Sequence, residues 1–245
     1  MIIFAFLIIH WYVSLFFQSI FHHRYAAHGF FTMSKFWERV FYVGCFISQG
    51  SSYISANAYG KMHRMHHAHT DTPEDPHSPT NSSNMLLMMW DTRNNYINVY
   101  TGKTKVKDTF TKNLPDWPSF EKYAHTFYAR FIWIFIYILI YDEFATAWWQ
   151  FLFLPFTILM GSFQGAAVNW WAHRFGYVNC KMNNTSKNIL PIDFVFWGES
   201  FHNNHHANPT NPNNSLRWFE VDAGYQMMRF LNKIRIIKLK SIQVN

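Results

Sequence analysis

Residues 1–28 read MIIFAFLIIHWYVSLFFQSIFHHRYAAH, and the junction inside this stretch decides the fold. Residues 1–21 contain no Lys, Arg, Asp or Glu, and as a helix they would reach roughly 30 Å, about one hydrocarbon thickness. His23-Arg-Tyr-Ala-Ala-His28 follows at once. Histidine is costly to gather beside a membrane unless it binds metal. The stretch therefore predicts a span that delivers ligands to one face of a bilayer.

Further along the chain, His63-Arg-Met-His66-His67 and His202-Asn-Asn-His205-His206 repeat one spacing. Side chains at i, i+3 and i+4 leave one face of a helix. Asn169-Trp-Trp-Ala-His173 adds a carboxamide and an imidazole one turn apart. Two HxxHH elements with HxxxxH predict a polynuclear metal site. The nine box histidines with Asn169 nearby fit two metals, each with about four or five protein ligands and an open position. Imidazole alone leaves zinc, copper, iron and nickel open. His23 and His28 are five apart, which on an α-helix separates them by about 140°. Either the helix breaks near Ala26-Ala27, or the two serve different metals.

Mean hydropathy is only −0.13, so spans must come from local runs. Residues 131–141 and 144–168 are apolar and flank Asp142-Glu143, predicting a transmembrane hairpin over 127–168. Residues 22–130 hold 12 Lys/Arg and residues 169–245 hold 9, between them all 21. By the positive-inside rule both segments face the cytosol. The expected organisation is one membrane domain over 1–245: a span at 1–21, cytosolic boxes one and two in 22–126, the hairpin, and cytosolic box three in 169–245. The expected fold is an all-α, multi-pass membrane protein of about three spans, with a cytosolic helical cap holding the site. Residues 1–21 lack a basic n-region and are read as an uncleaved anchor. The net charge of +7 then faces anionic headgroups, and no groove-reading motif points to nucleic acid.

A shared site also requires that 40–58 not cross the membrane. With Gln49, Gly50, Ser51, Ser52 and Asn57, it is expected as a helix lying on the membrane or packed in the cytosolic domain. Prolines 73, 76 and 79 exclude a helix over 70–83, and Asn208–Ser215 stops the box-three helix. Cys45 and Cys180 read as buried free thiols.

HRYAAH, HRMHH followed by DPHSP, NWWAH and GESFHNNHH together resemble the integral-membrane fatty acid desaturases, most nearly the acyl-CoA (stearoyl-CoA-like, delta-9-type) branch. The resemblance runs from about residue 20 to 225. It implies a di-iron centre with dioxygen as co-substrate, ligated by His23, His28, His63, His66, His67, His173, His202, His205 and His206, with Asn169 acting through a water. It implies a cis double bond introduced into a saturated acyl chain, with acyl-CoA as the expected substrate, in a tunnel closed toward the cytosol. Zinc has no accessible redox step for that chemistry. Relatives usually carry a hairpin before the first box, so one span suggests a short form or a missing N-terminal segment. No b-type cytochrome domain is appended, so a separate donor, a ferredoxin or b-type cytochrome, is expected. A hydroxylase or ketolase uses similar boxes, and a metal-ion carrier would instead need ligands along a transmembrane path.

Outside the boxes, His10 is expected as a helix–helix hydrogen-bond partner. His22 is the alternative to His23. His69 and His125 are expected at the surface or behind the ligands, and His77 behind box two. Glu199 is expected to orient a ligand. Trp148, Trp149, Trp170 and Trp171 are candidates to line the acyl channel, with an interfacial aromatic belt as the alternative.

Overall fold

The apolar N-terminal run folds as α1 (Ile2–Phe17) and continues into a π-helical segment, Gln18–Ala27, giving one rod of 26 residues that ends in the first histidine box. The computed structural model describes residues 1–240. Residues 241–245, the end of the expected 169–245 segment, lie outside the described residues. Gly29 ends the rod in the left-handed conformation, φ 63°. There its N–H donates to Tyr25 O and the Phe30 N–H donates to Arg24 O, both at 3.0 Å.

The short strand β1 (Phe31–Met33) pairs antiparallel with β2 (Ile237–Leu239), with Phe31 opposite Leu239, which fastens the C-terminal end of the described chain beside box one. This two-stranded sheet corrects the all-α expectation, although helix dominates. Next, α2 (Lys35–Gln49) starts where Ser34 Oγ accepts from the Trp37 N–H at 3.4 Å. At 15 residues it is shorter than a span. Its inner face buries Phe41, Tyr42 and Cys45, while Phe36, Val40, Val43 and Ile47 remain exposed. Gly50 turns the chain at φ 53°, and a Cβ there would lie 1.9 Å from the Tyr137 hydroxyl.

α3 (Ala56–His69) carries box two and packs against the π segment. Arg64 ties them: its Nε–H donates to Ala27 O at 2.7 Å and its Nη2 to Ala26 O at 2.9 Å. These carbonyls belong to the last turn of the rod, whose acceptors have no partner along the helix. Residues 70–83 form turns with one 3₁₀ turn, Pro79–Asn81, as the prolines require. α4 (Met85–Tyr100), α5 (Pro118–Ala124) and α6 (Phe127–Phe144) follow. His10 faces α6, with Tyr137 Oη 3.5 Å from its Nε2.

The return arm departs from the expected single helix over 144–168. A 3₁₀ turn (Trp148–Phe153) leads into α7 (Leu154–Ile158) and then α8 (Met160–Asn169), with a 63° bend between the arms. Pro155 lacks an N–H, and Leu159 leaves helical geometry at φ −102°, ψ 20°. Ile158 O is compensated by the polar turn after α2: Ser51 Oγ and Ser52 Oγ donate to it at 2.7 and 2.9 Å. Among the described residues, Ile2–Ala27 alone is by length and composition a helix that can cross a bilayer. The number rises to three if each bent pair, Pro118–Ala124 with Phe127–Phe144 and Trp148–Ile158 with Met160–His173, counts as one span.

α9 (His202–Ala207) and α10 (Ala223–Lys233) complete the helices. α9 has only six residues, too few to be stable on propensity. Side chains hold it instead. Asn188 Oδ1 accepts from the Asn203 and Asn204 N–H groups at 3.0 and 3.2 Å, and Asn204 Nδ2 donates to Asn214 O and Glu220 Oε2 at 2.8 Å each. Fully buried Arg24 binds both oxygens of buried Asp222, at 2.8 and 2.9 Å, and donates to Pro212 O at 2.7 Å. Box one is thus bolted to the segment that follows box three.

Candidate metal centre

The π segment resolves the spacing of box one. Its i→i+5 hydrogen bonds place residue i+5 over residue i, as i+4 lies in an α-helix. The His28 N–H donates to His23 O at 3.1 Å, so both imidazoles leave one face. α3 supplies His63, His66 and His67, α9 supplies His202, His205 and His206, and the 3₁₀ turn after α8 supplies His173.

Their ring nitrogens converge in two groups. One holds His23, His28, His63, His67 and His205, and the other holds His66, His173, His202 and His206, with candidate ligand atoms in each within 4.8 Å of one another. Within the first, Nε2 atoms stand 3.1 Å apart for His23–His205, 2.9 Å for His205–His67, 2.9 Å for His67–His63 and 3.0 Å for His63–His28. In the second the steps are 3.2 Å for His66–His206 and 3.0 Å for both His206–His202 and His202–His173. Nitrogens about 2.1 Å from one ion stand about 3.0 Å apart at right angles and about 3.4 Å apart at the tetrahedral angle. The spacings lie nearer the right-angle value than the tetrahedral one, and the five nitrogens of the first group exceed the four ligands of a closed tetrahedral zinc site. Adjacent ligands divide between the groups: His66 joins one and His67 the other, and likewise His205 and His206.

These imidazoles are set up as neutral ligands. Burial first, then repulsion from neighbouring histidines, pushes His28, His63, His202, His205 and His206 well below the ordinary value. The same causes bring His66 to about 3 and His67 to about 2. Neutral nitrogen is the form that binds metal.

Carboxylates stand behind three of the rings. His66 Nδ1–H donates to Asp75, with oxygens at 2.8 and 3.0 Å. His173 Nδ1 lies 3.0 Å from Thr185 Oγ1, which donates to Asp71 Oδ2 at 2.8 Å. Burial would raise the Asp71 carboxyl, but hydrogen bonds, including those from Ser78 and Thr185, hold it below the usual range. Asp71 adopts φ 60°, a strained conformation for a non-glycine residue. Glu199 Oε2 lies 2.7 Å from His23 Nδ1 but off the ring N–H direction, so the contact is an electrostatic attraction more than a directed hydrogen bond. Burial would raise Glu199 too, and His23 and Arg24 hold it low. Such partners fix ring orientation and raise ligand basicity.

The remaining candidates fall as follows. Asn169 ends α8 one turn before His173, half-buried, and its carboxamide makes no protein hydrogen bond among the described residues. His22 is in neither group: its Nε2 donates to Ile54 O at 3.0 Å. His77 packs on His66 with ring centroids 4.2 Å apart. His125 pairs with the Tyr96 hydroxyl at 2.8 Å, away from both groups. Trp149 packs against Phe4, at the end of α1 opposite box one, and Trp148 is 77% exposed. Trp170 lies under the Arg174 guanidinium at 4.0 Å, and Trp171 is exposed. Cys45 is buried and Cys180 half-buried, and both are free. The sequence reading missed Asp71, Asp75 and Thr185. Only the closeness of Asp71 and Asp75 to box two could have flagged the two carboxylates, and nothing local flags Thr185.

Residues 1–230 match the family model described as fatty acid desaturase. The chain is similar to the sn-1 stearoyl-lipid 9-desaturase of Synechocystis sp., 37% identical over 71 residues, covering 29% of this chain and 22% of that protein. It is also similar to Delta-9 acyl-lipid desaturase 1 of Arabidopsis thaliana, 35% identical over 77 residues, covering 30% and 25%. A third, the sn-2 palmitoyl-lipid 9-desaturase of Nostoc sp., is 30% identical over 71 residues, covering 29% and 25%. Each match spans a quarter or less of the relative's length. With a family model matched over nearly its whole length, the chain belongs to the fatty acid desaturase family.

Proposed function

We propose that this protein is an oxygen-dependent desaturase that places a cis double bond in a saturated fatty acyl chain, using two irons and electrons from a separate donor protein. The observation that carries the proposal is the pair of converging imidazole groups, five nitrogens and four, each close enough together to hold one ion. A reduced di-iron pair, when bound, supplies dioxygen activation and removal of two hydrogens from an unactivated methylene pair.

The chain's own residues do the rest. Nine imidazoles would hold the metals, His23, His28, His63, His67 and His205 on one side and His66, His173, His202 and His206 on the other, with Asn169 acting through a water. Asp75, Thr185 with Asp71, and Glu199 keep three of the rings aimed. Exposed apolar side chains on α1, α2 and α6, among them Ile8, Ile9, Val40, Ile47, Phe131 and Phe135, suit lipid far better than water. This supports a multi-pass protein with 127–168 crossing twice and the site on the cytosolic face, where Lys and Arg concentrate.

Similarity to enzymes named as lipid 9-desaturases favours position 9 of an acyl chain esterified in a glycerolipid, over the acyl-CoA expected from the resemblance. A metal-ion carrier is disfavoured, because the ligands gather at one end of the rod while α1 contributes only His10.

The test is the fatty-acid profile, with double-bond localisation, of cells expressing this chain beside a His67→Ala variant, with lipid classes and the acyl-CoA pool analysed separately. A delta-9 monounsaturated acid appearing first in glycerolipid and absent in the variant supports the proposal. First appearance in the CoA pool would reassign the carrier. Hydroxylated chains would reassign the reaction.

A further inference from the structure

Away from the histidines, a groove of about 680 Å³ opens between α2, α5 and α6, within the size range of small-molecule sites. It exists because the chain bends by 55° between α5 and α6, so that α5 leans off the α6 axis. Along α6 its floor is Ala129, Ile132, Trp133 and Ile136, an i, i+3, i+4, i+7 face about 11 Å long. Phe46 and Phe120 close the sides.

Two cationic side chains stand at the α5 end of the groove. The Arg39 guanidinium lies 5.2 Å from the centre of the Trp117 ring, and the Lys122 ammonium 5.9 Å from that of Tyr123. Both rings line the groove. Both cations are exposed, and neither joins an ion pair among the described residues. Each is therefore held at the aromatic mouth with its charge unneutralised. Trp and Tyr at a mouth of this kind mark headgroup depth, with the apolar floor running toward hydrocarbon.

We propose that the groove is a site for one phospholipid with an anionic headgroup. Its phosphate sits between Arg39 and Lys122, and one acyl chain lies along the Ala129–Ile136 face. The inference rests on the membrane reading above. In that reading the cationic end faces the cytosol, where the leaflet is rich in anionic lipid. The groove shares no residue with either histidine group, so this lipid is a fixed component that braces α2 against α5 and α6, distinct from the chain that reacts.

The full chain, purified in neutral detergent, is compared by native mass spectrometry and thermal melting with phosphatidylglycerol, phosphatidylcholine and inorganic phosphate. One phosphatidylglycerol per chain is expected to persist and raise Tm, while phosphatidylcholine binds more weakly and inorganic phosphate has no effect. Arg39→Gln with Lys122→Gln should weaken phosphatidylglycerol by roughly 10- to 30-fold. Ala129→Trp, which fills the floor, should abolish retention of both lipids. Iron content should be unchanged in the double variant. Equal retention of both lipids, a matching effect of inorganic phosphate, or retention unaffected by the double variant would overturn the site. If Ala129→Trp fails to fold, the surface double variant still decides. Binding in detergent does not depend on orientation or turnover, so failure here and failure of the desaturase reading are separable.

Discussion

Asp75→Asn should weaken one metal position and spare the other. Asp75 Oδ2 accepts from His66 Nδ1 at 2.8 Å and from the Asp71 N–H at 2.9 Å, while Oδ1 accepts from the His77 N–H at 3.1 Å. Whichever way an asparagine amide turns, its NH₂ meets one of these backbone donors. His66 then loses its anionic partner, and a buried donor is left unpaired. Changes behind a metal ligand weaken affinity by roughly 10- to 100-fold, about 1.4–2.7 kcal/mol. Because His66 belongs only to the four-imidazole group among the two groups of box ligands, the loss should be one-sided. The assay is an anaerobic Fe(II) titration of stripped protein against a calibrated chelator, with iron counted per chain. Wild type should take up two irons, and Asp75→Asn one at wild-type affinity and a second weakened by that factor. Glu199→Gln, acting on His23, should weaken the other position instead. Equal loss of both irons in either variant, or full affinity in both, would refute the division of roles.

Other outcomes follow from the same geometry. Arg24→Met leaves buried Asp222 without its cation and should cost about 3–5 kcal/mol, read as lost Tm, with Arg24→Met/Asp222→Asn recovering part of it. His22→Ala should keep two irons per chain, since His22 lies outside both groups, whereas His23→Ala should not. His66 and His77 titrate at about 3 and His67 at about 2 in the fold, against 6.5 unfolded. The unfolded chain therefore binds more protons below about pH 6.5. The Tm of metal-free protein should be undiminished by these groups above that pH and should fall progressively beneath it. Metal-loaded protein should hold its Tm to lower pH, because the ion competes with the proton.

The sequence made the ligands legible but not their assignment. Spacing of i, i+3 and i+4 put three imidazoles on one face of α3 and of α9, yet neighbours such as His66 and His67 serve different groups, which depends on the angle at which the helices meet. On an α-helix His23 and His28 would diverge, and nothing in QSIFHHRYAA announces a π-helix. An uncharged run was enough to find α1. It was not enough for 144–168, where the break at Leu159 is stabilised by Ser51 and Ser52 from more than a hundred residues away. Asp71 meets Thr185 across 114 positions, so only folding brings that pair behind His173. Asn203 and Asn204 read as spacers between ligands, and they are the bolts of a six-residue helix.

The most direct test of the central claim is one turnover by purified, iron-loaded protein in ¹⁸O₂ with a saturated acyl lipid and a chemically reduced donor. The account predicts a cis double bond in the acyl chain, with all of the heavy oxygen in water. Heavy oxygen retained on the acyl chain would contradict it and make the protein a hydroxylating member of the family. Unaltered lipid with two irons bound and reduced would remove the acyl substrate itself.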